Sequence, residues 1–311
     1  MQKPIVVVGS INLDLVVRAN RIPKVGESVI GHSFATFFGG KGANQAVAVA
    51  RLGYPVSIVG NVGDDAFGTQ LRNGLKEAGV GTEYVGTVAG SSGTALITTG
   101  PHGENSIVVV PGANAQLIPK SLERAKPLLE RAGFILVQLE IPLETVEYLA
   151  EFAEGHGIPF MLDPAPARKL PMSLLRRVSW LTPNETETRA LLRTKLDDSD
   201  RTTYAAADKL RLSGVKNVAL KLGSRGCVIA QESLPKQRIA AFRVNAVDTT
   251  AAGDAFNAGF AVGLLRGSSV FDSAVFASAV AALCVTRPGA QPSMPRSDEV
   301  EKFLQEHLNA N

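Results

Sequence analysis

Little in this sequence offers a metal cage, a redox centre or a membrane anchor. Only two cysteines occur in 311 residues. Cys227 sits in the strand-like run GCVIA and Cys284 in a helical apolar run, so both read as small core hydrophobes rather than as a structural disulfide. The four histidines, His32, His102, His156 and His307, are scattered and lack the paired spacing of a zinc site. Charge is equally undistinguished: 32 basic and 29 acidic residues give a formal +3, too balanced to argue for a nucleic-acid partner. The longest apolar stretches, such as AVFASAVAALCV (274–285), fall short of the roughly 20 residues that a membrane-spanning helix needs. The start, MQKPIVVVGSINLD, reaches Asn and Asp too soon for a secretory signal. The expectation is a cytoplasmic protein whose partner is a small molecule.

Two nucleotide signatures are also missing. The phosphate-loop pattern G-x-x-x-x-G-K-[ST] does not occur, because Lys41 is followed by Gly42. No G-x-G-x-x-G follows the first apolar run, which counts against a dinucleotide oxidoreductase.

What is present is an alternation. Short apolar, β-branched runs at 5–10, 56–61, 134–140, 158–163, 178–184 and 218–223 have the pattern of strands buried on both faces. Between them, helical patterns occupy 43–53, 65–79, 121–133, 143–157, 185–193 and 204–214, and all but the fifth end at Gly, which suits a left-handed C-terminal turn. The spacing predicts parallel βαβ units and a sheet covered by helices on both faces. Three further helical patterns follow residue 253. Residues 13–38 and 91–111 break the rhythm with alternating, Gly-punctuated β patterns. They are expected to form a small antiparallel sheet that leaves the α/β core (1–12, 39–90 and 112–311) and acts as a lid over its ligand end.

The polar residues cluster where open α/β sheets bind ligands, after the strands. Asn12 and Asp14 follow the first, Glu140 the third, Asp163 the fourth, and Asn184 and Glu187 the fifth. Asp163, in DPAPA, reads equally well as part of a turn. In FGGKGANQAVAVARLG, Gly39 and Gly40 allow a sharp reversal, the helix after Gly42 offers unpaired N–H groups, and Asn44 can both donate to and accept from a hydroxyl-rich ligand. In DTTAAGDAFNAG (248–259), Ala251, Ala252 and Gly253 lead into a helix whose N–H groups and macrodipole attract anions. Their small side chains admit a phosphate to the backbone. Asp254, one residue on, stands where a carboxylate would take a proton from an attacking hydroxyl.

On these residues the sequence resembles the ribokinase family of carbohydrate kinases. Eight fragments carry the resemblance in order: GSINLDLV, GGKGANQAVAVARLG, GNVGDDAFG, VVVPGANA, NETE, LGSRG, DTTAAGDAFNAG and VTRPGAQPSMP. The resemblance implies a ribokinase-like α/β fold, with a nine-stranded, mainly parallel sheet flanked by helices and a small β-sheet lid, often dimeric through the lids. It implies transfer of a phosphoryl group from ATP to the 5-hydroxyl of D-ribose. By position, Asn12, Asp14, Gly40, Lys41, Gly42, Asn44 and Glu140 match sugar contacts. Asp254 matches the base, and the Ala251, Ala252 and Gly253 amides match the anion hole. Asn184, Gly223, Ser224 and Gly226 match nucleotide contacts, and Glu187 matches the residue that organises Mg2+ through water. Asp248, Thr250, Cys284, Arg287, Gly289 and Ser293 match a site for K+, mainly through carbonyls. Two nucleotide-site positions depart from the family pattern: Lys221 stands where Thr is common, and Ser278 where His or Asn often lies beside the adenine. Rival expectations are a deoxyribose or nucleoside kinase, for which Phe34, Phe37 and Phe38 could stack a base, and a sugar-binding sensor without catalysis.

Overall fold

A computed structural model describes residues 2–101, 104–194, 196–197 and 199–308; His102 lies outside the described residues. Thirteen strands form two sheets among the described residues. The chain runs β1 (Ile5–Val8), β2 (Asn12–Ala19), β3 (Gly31–Gly39), β4 (Val56–Gly63), β5 (Gly81–Val88), β6 (Gly93–Thr99) and β7 (Asn105–Val110). It continues β8 (Phe134–Gln138), β9 (Phe160–Asp163), β10 (Trp180–Leu181), β11 (Asn217–Lys221), β12 (Cys227–Ala230) and β13 (Gln237–Ile239).

The large sheet has nine strands in the order β13-β12-β11-β10-β9-β8-β1-β4-β5. It is parallel from β11 to β5, and β12 and β13 add an antiparallel edge. Strand β1 shows why it needs cover on both faces. All four residues of IVVV are fully buried; Ile5 and Val7 enter one core, and Val6 and Val8 the other, because successive side chains of a strand point to opposite faces. The first core lies under helices that include Lys41–Arg51, Ala252–Leu265 and Val270–Val285, the second under Leu143–Gly155 and Asp200–Leu212.

Strand order reverses at β1. The chain first moves outward through β4 and β5, then returns to pair β8 on the other side of β1 and proceeds to β11. Such a switch point leaves a crevice at the carboxyl ends of its strands, and the polar residues singled out in the sequence follow those ends.

The second sheet has four strands in the order β3-β2-β6-β7. It joins the two excursions, but it is not wholly antiparallel. β2 and β3 pair antiparallel, as do β6 and β7, whereas the two hairpins meet through the parallel pair β2 and β6. The reason is chain direction: β2 continues from β1 and β6 follows β5, which runs parallel to β4 and hence to β1.

Two further expectations change. The segment 121–133 is not one α-helix but a 3-10 helix over Pro119–Ala125 running into a short α-helix, Lys126–Leu129. Leu122, Ala125 and Leu128 are buried at intervals of three, the period of a 3-10 helix, and Pro127 has no N–H for an α-type bond. Strands β5 and β13 had no counterpart among the apolar runs. β5 is a partly exposed edge strand, and β13 is three residues long with a polar start.

Candidate active site

Glycine makes the crevice possible where the chain enters the helix Lys41–Arg51. Gly40, at its N-cap, has φ 87°, and a methyl group at Gly42 would lie 2.6 to 2.7 Å from backbone atoms of Gly9 and Ser10. The helix start is thereby laid directly against the end of β1. Its orphan N–H groups find an acceptor from across the sheet: Glu140 Oε2 accepts from the Lys41 N–H at 3.0 Å and from the Ser10 hydroxyl at 2.5 Å.

Beside this junction, a cavity of about 620 Å³ opens at the ends of β9, β10 and β11. Lys41, Asn184, Glu187, Lys221, Gly223, Ser224, Gly226, Ala251, Ala252, Gly253, Asp254 and Ser278 all line it, so residues drawn from five separate stretches of sequence meet at one place. Asp163, which read equally well as a turn residue, lines it too and is 3% exposed. Ala251 heads the helix Ala252–Leu265 in a left-handed conformation, φ 59°, unusual for a residue with a Cβ. Asp254 lies in the first turn of that helix.

Asp254 is buried. Its carboxylate accepts from Asn44 Nδ2 at 3.1 Å and from Gln45 Nε2 at 3.0 Å. Burial, only partly offset by the Lys41 ammonium and these amide donors, pushes its carboxyl up to about 6. Gln45 also donates to Asp163 at 3.2 Å and accepts from Gln138 at 2.8 Å, so a chain of amides fixes two carboxylates at the cavity edge. Burial would depress the Lys41 ammonium, but Asp254, Asp163, Glu140 and Glu187 together outweigh it and keep it charged. Burial also raises the Glu187 carboxyl, with Asp163 adding to the effect and Lys221 opposing it.

Of the expected sugar contacts, Lys41 lines this cavity, and Asn44 and Glu140 are tied to its edge by hydrogen bonds to Asp254 and to the Lys41 N–H. Asn44 donates to Asp254, and its Oδ1 is buried with no hydrogen-bond partner among the described residues. Asp14, on β2, is pushed up to about 6, chiefly by burial and then by the charge of Glu140. Asn12 Oδ1 accepts from Asn114 Nδ2 at 2.7 Å, and Asn114 Oδ1 accepts from the Ile11 N–H at 2.9 Å. Of the three phenylalanines that could stack a base, Phe38 is committed elsewhere: it packs against Gly74 of the helix Ala66–Glu77.

Two of the residues matched to the nucleotide and its metal, Asn184 and Glu187, are held by a local cap. Asn184 caps the helix Glu185–Leu192 through a reciprocal pair: its side chain accepts from the Glu187 N–H at 2.9 Å, and Glu187 Oε2 accepts from the Asn184 N–H at 2.7 Å. Asn184 Nδ2 also donates to Glu187 Oε1 at 2.8 Å.

The residues matched to a cation site are likewise brought together, by two loops and the last turn of the helix Val270–Val285. Asp248 Oδ1 accepts from the Thr250 N–H at 2.9 Å and hydroxyl at 2.6 Å, and its Oδ2 accepts from the Gly289 N–H at 2.8 Å. Cys284 Sγ lies 3.0 Å from the Ser293 hydroxyl and 3.9 Å from the Thr250 carbonyl. The Arg287 side chain turns away to pair with Glu299 at 2.5 Å, which leaves only its backbone to the loop. Among the described residues there is no cluster of three or more His, Cys, Asp or Glu side chains suited to a metal ion.

Gln45, Gln138 and Asn114 were missed by sequence reasoning. Gln45 was visible as the neighbour of Asn44 on the helix after GGKGAN, but nothing in the sequence places Gln138 or Asn114 opposite their partners.

Residues 2–297 match the model of the pfkB family of carbohydrate kinases. The chain is 43% identical to a ribokinase of Bacillus subtilis over 96% of this chain and 99% of that one. It is 39% identical to a deoxyribokinase of Salmonella typhi over 96% and 98%. Among solved structures, an Arabidopsis thaliana ribokinase complexed with ribose and ATP superposes with a TM-score of 0.92 at 37% identity, covering 98% of this chain and 99% of that one.

Proposed function

The chain belongs to the pfkB family of carbohydrate kinases, and we propose that it phosphorylates D-ribose at the 5-hydroxyl with ATP, using Asp254 as the base. The observation that carries the mechanism is the placement of a buried carboxylate, held by two amides, in the first turn of a helix whose N-terminal backbone borders the cavity. The sugar hydroxyl gives its proton to Asp254 as its oxygen bonds to the terminal phosphorus. The bond from that phosphorus to the bridging oxygen breaks, and ADP leaves. The Ala251, Ala252 and Gly253 amides receive the equatorial oxygens, where negative charge is spread. Asn44, with an unpaired acceptor and a donor already aimed at Asp254, orients the acceptor sugar. Asn12, Asp14, Gly40, Lys41, Gly42 and Glu140 complete its surroundings. Asn184, Lys221, Gly223, Ser224, Gly226 and Ser278 hold the nucleotide.

The hard oxygen donors on the cavity wall fit Mg2+. Both Glu187 oxygens already accept hydrogen bonds from Asn184, which suits contact through water rather than direct ligation. The ion supplies neutralisation of the polyphosphate when bound. The loops around Asp248 fit K+: burial would raise the Asp248 carboxyl, but bonds from Thr250 and Gly289 more than reverse this, so it stays ionised. The chain bears no helix long and apolar enough to cross a membrane among its described residues, and we place it in the cytoplasm. The four-stranded sheet acts as the lid and joins two copies into a homodimer.

The test is ADP release from MgATP with D-ribose, deoxyribose, fructose and adenosine in parallel, each with sodium or potassium. Ribose-dependent turnover raised by potassium is expected. Preference for deoxyribose would move the substrate within the family, and tight ribose binding without ADP release would make the chain a sensor.

A further inference from the structure

The cavity holds a second ammonium group. Lys221 is the last residue of β11, and its side chain is 12% exposed. Its Nζ donates to Asp163 Oδ1 at 3.1 Å, and Asp163 is its one hydrogen-bond partner among the described residues. A methyl group built on Gly253 would stand 3.3 Å from this Nζ. The ammonium is therefore within van der Waals reach of the turn that opens the helix Ala252–Leu265. An ammonium has three N–H donors, so two remain for a ligand in the cavity that Lys221 lines.

Charge points the same way. Asp163 is buried on the wall of the same cavity, where an uncompensated carboxylate would repel any polyphosphate. Lys221 cancels that charge, and Asp163, fixed in turn by Gln45 at 3.2 Å, limits where the long lysine side chain can go. The neutral pair thus presents ammonium N–H donors on a fixed mount beside the turn that opens the helix Ala252–Leu265.

We propose that Lys221 is a catalytic residue, its ammonium hydrogen-bonding the oxygens of the phosphoryl group as that group crosses the Gly253 turn, with Asp163 as its positioning residue. The inference rests on the kinase reading above. Lys221 exchanges no proton; the hydroxyl proton still goes to Asp254 and the leaving oxygen to ADP. A preorganised cation is stronger for developing charge than for the ground state, so its effect belongs in kcat.

The experiment compares ADP release by the wild type, Lys221→Met, Lys221→Arg and Lys221→Ala, the last with ethylammonium or tetramethylammonium added. Lys221→Met is expected to lower kcat by about 10²- to 10³-fold, as loss of a transition-state donor does, with little change in the KM for ribose. Lys221→Arg should keep part of the rate. Ethylammonium should partly restore Lys221→Ala, and tetramethylammonium, which has no N–H, should not. Binding of a non-hydrolysable ATP analogue shows that each variant is folded, and Lys221→Thr replaces Lys221→Met if that variant does not fold. A neutral variant that keeps a near wild-type kcat overturns the proposal. So does a folded, analogue-binding Lys221→Ala whose lost rate ethylammonium does not restore. If the wild type uses another acceptor instead of ribose, the substrate reading fails and the same comparison is made on that acceptor. A wild type silent on every acceptor overturns both.

Discussion

Asp254 is held by donors on one side and open to the cavity on the other. Asp254→Asn keeps its size and loses the proton acceptor. It is expected to lower kcat by about 10²- to 10⁴-fold while ribose binding, read by calorimetry, persists; near-normal turnover would remove the base assignment. Proton affinity gives a second prediction. Asp14 and Asp254 are both pushed up to about 6, chiefly by burial, and on the proposed mechanism both act as ionised carboxylates. A raised carboxyl is neutral below its pKa, so activity is present above pH 6 and lost as pH falls through it. Because kcat/KM reports groups of the free protein, its logarithm should fall toward a slope of two, and Asp14→Asn should reduce that slope to one. A slope of one in the wild type would show that only one of the two must be ionised. Asp254 could be read from the sequence because small residues and a helix start surround it. Asp163 was ambiguous because DPAPA suits a turn equally well, and only the fold brings Gln45 and Lys221 to it from 118 and 58 residues away.

At the scale of elements, the loop before the helix Ala252–Leu265 and the loop after Val270–Val285 are already cross-linked by Asp248, whose carboxylate accepts from both. Hydrogen bonds to a charged group are worth about 1.5–3 kcal/mol when buried, and part exposure of Asp248 brings its loss toward the lower end. Asp248→Ala is expected to cost about that much on a denaturant curve and to weaken activation by potassium. An unchanged potassium response would refute the cation site. Elements were legible where burial was uniform: β1 and β8, enclosed on both faces, are continuous apolar runs. They were illegible where burial was partial, as in β5, or where apolar spacing fits two helical periods, as in 121–133. The excursions were recognisable as strands, but the parallel pairing of β2 with β6 depends on the direction in which the core strands enter.

For the whole molecule, the four-stranded sheet ends in an edge strand that no other strand among the described residues covers. All six residues of β7 are exposed, with Val108 at 58% and Ile107 at 51%, and Phe34 on the opposite edge strand reaches 64%. Apolar edges of this kind need covering. Sedimentation is expected to give a dimer for the wild type and a folded monomer for Val108→Lys, and a monomeric wild type at micromolar concentration would refute pairing through this sheet. The same sheet joins the core beside residues proposed to contact the sugar: Asn12 begins β2, and β3 ends at Gly39 beside Gly40 and Lys41. Two of the four strand ends that tie the sheet to the core, the start of β2 and the end of β3, thus coincide with residues proposed to contact the sugar, the other two lying at Gly93 and Val110. In the proposed kinase, a bound sugar would therefore bear on the joint of the sheet as a lone water molecule would not, a bias against spending ATP on an empty site.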